Sequence, residues 1–348
     1  MSAPLRRRRE LLLAASGAVL APSVVFAQPR KLPRVVWISM VEDEYKVRVE
    51  AALKKRGLVD GTNISLEIPG GRMATDDARL RELVASRPDV IVVLGAPDFL
   101  QAHTREIPVI FYNWNSDPVK MGLVESFRRP GTNMTGVYLP WSEIQTRQWQ
   151  LLKDFNPSMK AGCIVQSRES MDEYDKQWAP RAEQVQKQYQ WWADARRAVE
   201  KRLAITLREI RLSDSATRKE IEAAVAHPRA DALRVENGVG GPEWRSFVRN
   251  TRIPTCCYSS WRAKRGMAIV GVSFNWIEGV EQAAERVALV LRGENPATIP
   301  IYIIREFSVT VNMGLARAAG IRIPASVLLQ AAERYDGPIN LDEGYYDP

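Results

Sequence analysis

Apolar and polar positions alternate in two recurring patterns along most of the chain. Residues 34–39 form a short apolar run that predicts a strand, and residues 48–56 follow with a helical repeat that Gly57 stops. Residues 63–68 predict a second strand, 76–86 a helix, and 89–94 a strand whose continuous β-branched run implies burial on both faces. Residues 107–112 and 132–137 extend the series. The pattern then restarts with a helix over 141–154, whose Ile144, Trp149, Leu151 and Leu152 supply an apolar face. Residues 161–166, 204–210, 230–235 and 253–258 are four further strands, separated mainly by helices. Residues 267–272 and 299–304 are extended, with a long amphipathic helix over 276–292 between them.

Two successive runs of strand–helix units predict an α/β protein of two Rossmann-like lobes with parallel sheets, joined by hinge crossings. The expected partition assigns 28–138 plus 273–298 to lobe I and 139–272 plus 299–348 to lobe II. One stretch is out of scale. Residues 172–203 are charged and aromatic, include Trp178, Trp191 and Trp192, and predict one long helix or a helix pair broken at Pro180. Aromatics at helical spacing read as core; a docking surface or a lid is the other reading.

The amino terminus changes where this chain is expected to work. Residues 6–9 are all arginine, 11–25 are mostly apolar, and Val25, Phe26 and Ala27 give a small-x-small exit before Gln28. Together these read as a signal peptide over 1–27, with export to the periplasm or beyond. The order Arg8, Arg9, Glu10, Leu11, Leu12 also resembles a twin-arginine signal. Loss of four arginines and one glutamate would lower the formal net charge from +8 to +5. The remaining charge is mixed, so nucleic acid is not an expected partner.

The rarer residues narrow the chemistry further. His103 and His227 are the whole histidine complement. That argues against a histidine-rich metal site and leaves little material for a Ser-His-Asp triad. Cys163 and the adjacent Cys256 and Cys257 read as small buried hydrophobes, because neighbouring cysteines rarely suit disulfide geometry. No cofactor, metal or catalytic residue is expected.

A resemblance to a known family adds to this. The segment 57–64, with Gly57, Gly61, Asn63 and Ile64, is similar to the G-x-x-x-G-x-N-I turn of the ABC-transporter substrate-binding proteins of the tryptophan/tyrosine-binding type. Segments 87–97, 107–111, 116–119 and 122–124 continue the likeness, as does 129–137, which resembles that family's R-P-G-G-N-x-T-G stretch. Segments 291–296, 299–300 and 319–324, with Asn312, complete it in the right order. The resemblance implies a periplasmic type I fold that closes on a ligand held between its lobes.

In open parallel sheets ligands collect outside the carboxyl ends of strands, so the strand-end loops supply the candidates. After the first strand, Ser39 either hydrogen-bonds a ligand or caps the next helix. Gly95, Ala96 and Pro97 open a helix whose free N–H groups suit a carboxylate. Ala96 departs from the threonine that the family commonly carries. Trp114, Asn115, Ser116 and Asp117 bring an aromatic face, an amide, a hydroxyl and a carboxylate to the end of the fourth strand; a turn cap before Pro118 is the competing reading of Ser116 and Asp117. From the second lobe come Ser167, Glu169 and Ser170, then Glu236 and Asn237, where many relatives read Asp-Asn, and Tyr258 after the next strand. Phe274 and Asn275 lie at the expected hinge, where several relatives place Asp.

This set suits a small amphipathic organic ligand, with an amino acid or related carboxylate expected. The leading function is solute capture as a monomer, with delivery to an ABC permease in the membrane. An exported sensor that signals to a membrane receptor is the alternative. A hydrolase using paired acids such as Asp43 and Asp117 is the third reading.

Overall fold

The computed structural model describes residues 31–38, 43–69, 76–94, 97–114, 116–179, 182–226, 229–236 and 238–337. The expected signal peptide, Ser39, Gly95, Ala96, Asn115, Pro180, His227 and Asn237 lie outside the described residues. Among the described residues no helix is long and apolar enough to cross a membrane.

The first part of the chain builds β1 (Arg34–Ile38), α1 (Asp43–Lys54), β2 (Ser65–Glu67), α2 (Asp77–Ala85), β3 (Val90–Leu94), α3 (Pro97–Gln101), β4 (Val109–Trp114) and β5 (Met134–Tyr138). The second run is α4 (Trp141–Phe155), β6 (Ala161–Ser167), α5 (Arg168–Trp178), α6 (Ala182–Leu203), β7 (Thr206–Leu212), α7 (Arg218–Ala226), β8 (Ala232–Val235), α8 (Pro242–Asn250), β9 (Thr255–Cys257), α9 (Ser260–Lys264) and β10 (Val270–Phe274). The chain finishes with α10 (Trp276–Leu291), β11 (Tyr302–Ile303), β12 (Phe307–Asn312), α11 (Met313–Ala318), α12 (Ala325–Gln330) and β13 (Glu333–Tyr335).

These strands form two sheets, ordered β11-β5-β4-β3-β1-β2 and β13-β12-β10-β9-β8-β6-β7. All pairings are parallel except β10 with β12, which runs antiparallel from Val270↔Val311 to Phe274↔Phe307. The parallel order explains the unbroken apolar runs, since helices must cover both faces. Val90, Ile91, Val92 and Val93 are fully buried, each such side chain stabilising by about 1.5–3 kcal/mol relative to exposure. Val280, Ala283, Ala284, Val287 and Ala288 form the buried stripe of α10, which packs on α1 and on β3, β4 and β5. Between β4 and β5 the register shifts from Phe111 to Trp114. Gly136 sits there so close that an added Cβ would meet the Phe111 carbonyl oxygen at 2.0 Å.

The chain passes between the sheets three times: after β5, after β10 and after β11. The expected partition shifts at two of these passages. Ser273 and Phe274, expected in lobe I, complete β10 in the second sheet because they pair with Ser308 and Phe307. Residues 299–304, expected in lobe II, lie on the first sheet, where Tyr302 and Ile303 pair with Val137 and Tyr138 of β5. The Arg286 guanidinium of α10 holds the Pro300 carbonyl at 2.8 Å, which ties this segment to lobe I. β12 and β13 were not anticipated. Their pairing depends on partners distant in the chain, which local periodicity does not encode.

The long segment resolves into a helix pair. α5 and α6 pack through the rings of Tyr174, Tyr189 and Trp192, with centroids 5.4–6.4 Å apart. Val185, Gln188, Trp191, Ala195 and Val199 are buried along one face of α6, so Trp191 is core, as its spacing predicts. With 22 residues, α6 is about 33 Å long at 1.5 Å per residue. The neighbouring β6 has 7 residues and spans only about 23 Å. The seventh residue of α6, Gln188, accepts from Ser116, which follows β4 of lobe I.

Candidate functional site

Each sheet reverses its strand order once. In lobe I the reversal falls between β1 and β3, and in lobe II between β6 and β8. At such a switch point the following loops diverge to opposite faces and leave a crevice at the carboxyl edge. The strand-end residues expected from the sequence belong to these edges, and the structure gives each described one a definite local role.

In lobe I, Pro97 is buried at the start of α3. Trp114 closes β4 with its Cα opposite Tyr138. The Ser116 hydroxyl, fully buried, donates to the Gln188 side-chain oxygen at 2.5 Å. That bond runs from the first lobe to α6 of the second. Asp117 behaves as the turn cap, accepting from the backbone N–H groups of Val119 at 2.9 Å and Lys120 at 3.2 Å. Its charge, together with Glu143, also acts on Tyr138, whose hydroxyl pKa is raised chiefly by burial and then by these two carboxylates.

In lobe II, Ser167 is 1% exposed and caps α5, its hydroxyl accepting from the Ser170 N–H at 3.0 Å. Gly238, at φ +84°, closes over both serines; a Cβ there would come within 2.3 Å of the Ser170 hydroxyl oxygen. The two loops of the lobe II switch point are therefore in contact. Glu169 turns away toward the end of β7, where its carboxylate accepts from the Ser213 hydroxyl at 2.6 Å and the Asp214 N–H at 2.9 Å. The Ser213 hydrogen bond, more than any other cause, lowers the Glu169 pKa.

Glu236 is paired with Arg234, a guanidinium only 4% exposed. Arg234 also donates to the Gln148 side-chain oxygen at 3.3 Å, and the Gln148 amide donates to the Cys257 carbonyl at 3.1 Å. Arg262, also buried, donates to the Glu236 carbonyl at 3.0 Å. The carboxylate at the end of β8 is thus held by the protein's own cation. Tyr258 stacks at a tilt on Trp141, centroids 5.9 Å apart, and lies 5.4 Å from the Arg262 guanidinium. Phe274 is half-buried at the end of β10. Asn275 caps α10, accepting from the Glu278 N–H at 3.2 Å.

The arrangement brings an aromatic set to the passages between lobes: Tyr138, Trp141, Tyr258 and Phe274. Sequence reading missed Tyr138, Trp141, Gln188, Arg234 and Arg262. The aromatic pair carried a signal, since both flank the first passage, at 138 and 141. Arg234 carried none, because a charge inside an apolar strand run has no local pattern.

Among the described residues no group of three or more His, Cys, Asp or Glu is placed to hold a metal ion. All three cysteines are free and buried, as their neighbours predict, and burial raises the Cys257 thiol pKa to about 11. A concavity of about 400 Å³ between Arg105, Asn133 and Asn295 lies at the amino edge of the lobe I strands, opposite the switch point.

Comparison with known proteins bears on this geometry. The family described as ABC transporter substrate binding protein matches residues 42–335. A Tyrosine-binding protein of Clostridioides difficile (strain R20291) is 30% identical over 132 residues, 36% of this chain and 37% of that protein. The matched stretch thus spans little more than a third of that relative. The fold is similar to the ligand-free, open structure of a substrate binding protein with adhesive properties from Clostridium difficile. There the TM-score is 0.63 at 20% identity, covering 87% of this chain and 99% of that one. It is also similar to an ABC domain in complex with L-Trp from Streptococcus pneumonia, with a TM-score of 0.61 at 21% identity, covering 87% of this chain and all of that one. At these identities the structural likeness speaks to fold, and it agrees with the two-lobed α/β architecture of the periplasmic type I kind. Because the family match runs through both sheets and ends at β13, the chain belongs to the ABC transporter substrate-binding protein family.

Proposed function

We propose that this protein captures a small organic ligand, an amino acid or related carboxylate, at the facing carboxyl edges of its two sheets and delivers it to an ABC importer. The observation that carries the reading is the family match across both lobes, supported by a switch point in the strand order of each sheet, the place where α/β sheets hold ligands. Tyr138, Trp141, Tyr258 and Phe274 supply aromatic surface for an apolar side chain. Export through a signal peptide over 1–27 belongs to the same reading, because an importer receives its cargo outside the cytoplasmic membrane.

Aromatic amino acids head the candidates. One relative is named for tyrosine, and one neighbour in fold was solved with L-Trp. Ligand selection rests on the loops after β1 and β3 together with Trp114, Asn115, Asn237 and Tyr258. The reading involves binding without covalent change: closure of the lobes removes the ligand from water, and the closed form is what a permease recognises.

Isothermal titration against a panel of aromatic and aliphatic amino acids and their deaminated carboxylates tests the proposal. One saturable, one-to-one binding event is expected. Mass spectrometry of ligand retained after gentle purification identifies the class independently. Absence of heat with the whole panel, or turnover of any member, overturns it.

A further inference from the structure

The segments that enter β7, β6, β8 and β9 come together at the amino edge of the lobe II sheet, where these four strands stand side by side. The Thr206 N–H donates to the Lys160 carbonyl at 2.7 Å, and the Leu233 N–H to the Pro254 carbonyl at 2.9 Å, so the entering segments are neighbours. Three inter-strand gaps make this edge about 15 Å wide.

Charge is mixed along the chain but not here. Residues 153–160, 200–205, 229–231 and 249–254 carry seven lysines and arginines against three carboxylates. That excess of four is half of the formal +8 of the whole chain. Lys160, Lys201, Arg202, Arg229, Arg249 and Arg252 are exposed, and among the described residues none of the six pairs with a carboxylate. Two of the three acids serve the backbone instead. Asp231 accepts from the Lys160 and Ala161 N–H groups at 2.8 and 3.0 Å, and Glu200 from the Leu207 N–H at 2.7 Å. In lobe I, by contrast, Arg34 pairs with Glu67, Lys55 with Glu281 and Arg56 with Glu285.

Helix polarity explains part of the cluster. Lys153, Lys201, Arg202 and Arg249 occupy the last turns of α4, α6 and α8, where a cation complements the helix carboxyl end. Lys160, Arg229 and Arg252 belong to no helix, so they are left without that reason.

We propose that the amino edge of lobe II is an adsorption surface for a bilayer rich in anionic phospholipids. Cations on long side chains, spread over four strands, match an extended negative surface better than a single bound anion. The one aromatic of these segments, Phe155, is half-buried, which leaves nucleic-acid bases no exposed ring to stack on. Contact is therefore electrostatic and shallow. It engages the edge opposite the carboxyl ends of β6 and β8, so the lobe II switch point stays free. The inference rests on the reading that this chain works beside an importer in the membrane. Its test needs no ligand, so it can fail while capture stands, and capture can fail while it stands.

The chain from Gln28 suits the measurement, because residues 33–348 form one compact unit. Flotation with phosphatidylcholine vesicles containing phosphatidylglycerol should show binding that pure phosphatidylcholine lacks. Raising salt from about 0.1 M to about 1 M should release the chain, since screening shortens from about 10 Å to about 3 Å. Each cation removed should weaken binding about fivefold, so the Lys160→Ala, Arg229→Ala, Arg252→Ala triple variant should lose about a hundredfold. A control triple, Arg105→Ala, Arg128→Ala, Arg129→Ala, removes the same charge from exposed positions of lobe I and should lose far less.

Equal losses in the two triples overturn the proposal, because net charge alone would then explain binding. Equal binding to neutral vesicles, or binding that survives high salt, also overturns it. Tighter binding to random-sequence duplex DNA than to the anionic vesicles assigns the edge to nucleic acid, and release by soluble glycerol phosphate assigns it to a single anion; either result overturns the bilayer. Should the lobe II triple fail to fold by circular dichroism, Arg252→Ala alone, with its fivefold loss, decides the question.

Discussion

At the scale of single residues, several side chains that look like ligand contacts in sequence are engaged by the protein itself. Asp117 completes a turn, Asn275 caps a helix, and Glu236 neutralises Arg234. The same small polar residues favour strand-end loops for both purposes, because short oxygens reach nearby backbone N–H groups as readily as a ligand. Gly238 illustrates a tighter constraint. Its φ of +84° lies in the left-handed region, and a Cβ would overlap Ser167 and Ser170. Gly238→Ala is expected to cost at least about 1–2 kcal/mol from the backbone conformation alone, read as a lower urea midpoint with unchanged slope. A variant as stable as wild type would show that the two loops of the lobe II switch point are not in contact.

At the scale of elements, the Glu169 carboxylate joins α5 to the turn after β7 through the Ser213 hydroxyl and the Asp214 N–H. Its pKa is lowered from the ordinary 4.5. Stability linked to this group is therefore fully present above the ordinary value and lost as pH falls through the lowered one. Glu169→Gln should melt below wild type at neutral pH, and the two curves should converge on acidification below pH 4.5. A constant difference down to strong acid would remove the carboxylate from that role. The Trp191 spacing was legible as buried core, whereas the reach of α6 to Ser116 was not, because the two partners lie 72 residues apart in the chain.

At the scale of the whole molecule, two largely parallel sheets joined by three passages each reverse their strand order once. A ligand held between them binds the native state and not the unfolded chain. At a hundredfold excess over its Kd it should raise the unfolding free energy by about 2.7 kcal/mol, measured as a higher Tm by calorimetry. A Tm that stays constant across the amino-acid panel would count against capture. The third passage also revises the partition of the chain: β11 returns to lobe I, and α10 covers that lobe while β10 and β12 remain in the other.

The sequence by itself determined the alternation of strands and helices and the two-lobed, largely parallel class. Those features follow from local periodicity and from the burial that a parallel sheet imposes on both faces. Tertiary structure alone decided which polar strand-end residues are already satisfied, where the chain crosses between lobes, and that α6 reaches Ser116. Each of these depends on partners far apart in the chain, such as Ser116 with Gln188 and Tyr302 with Val137, whose meeting is set by how the layers stack and not by their neighbours in sequence.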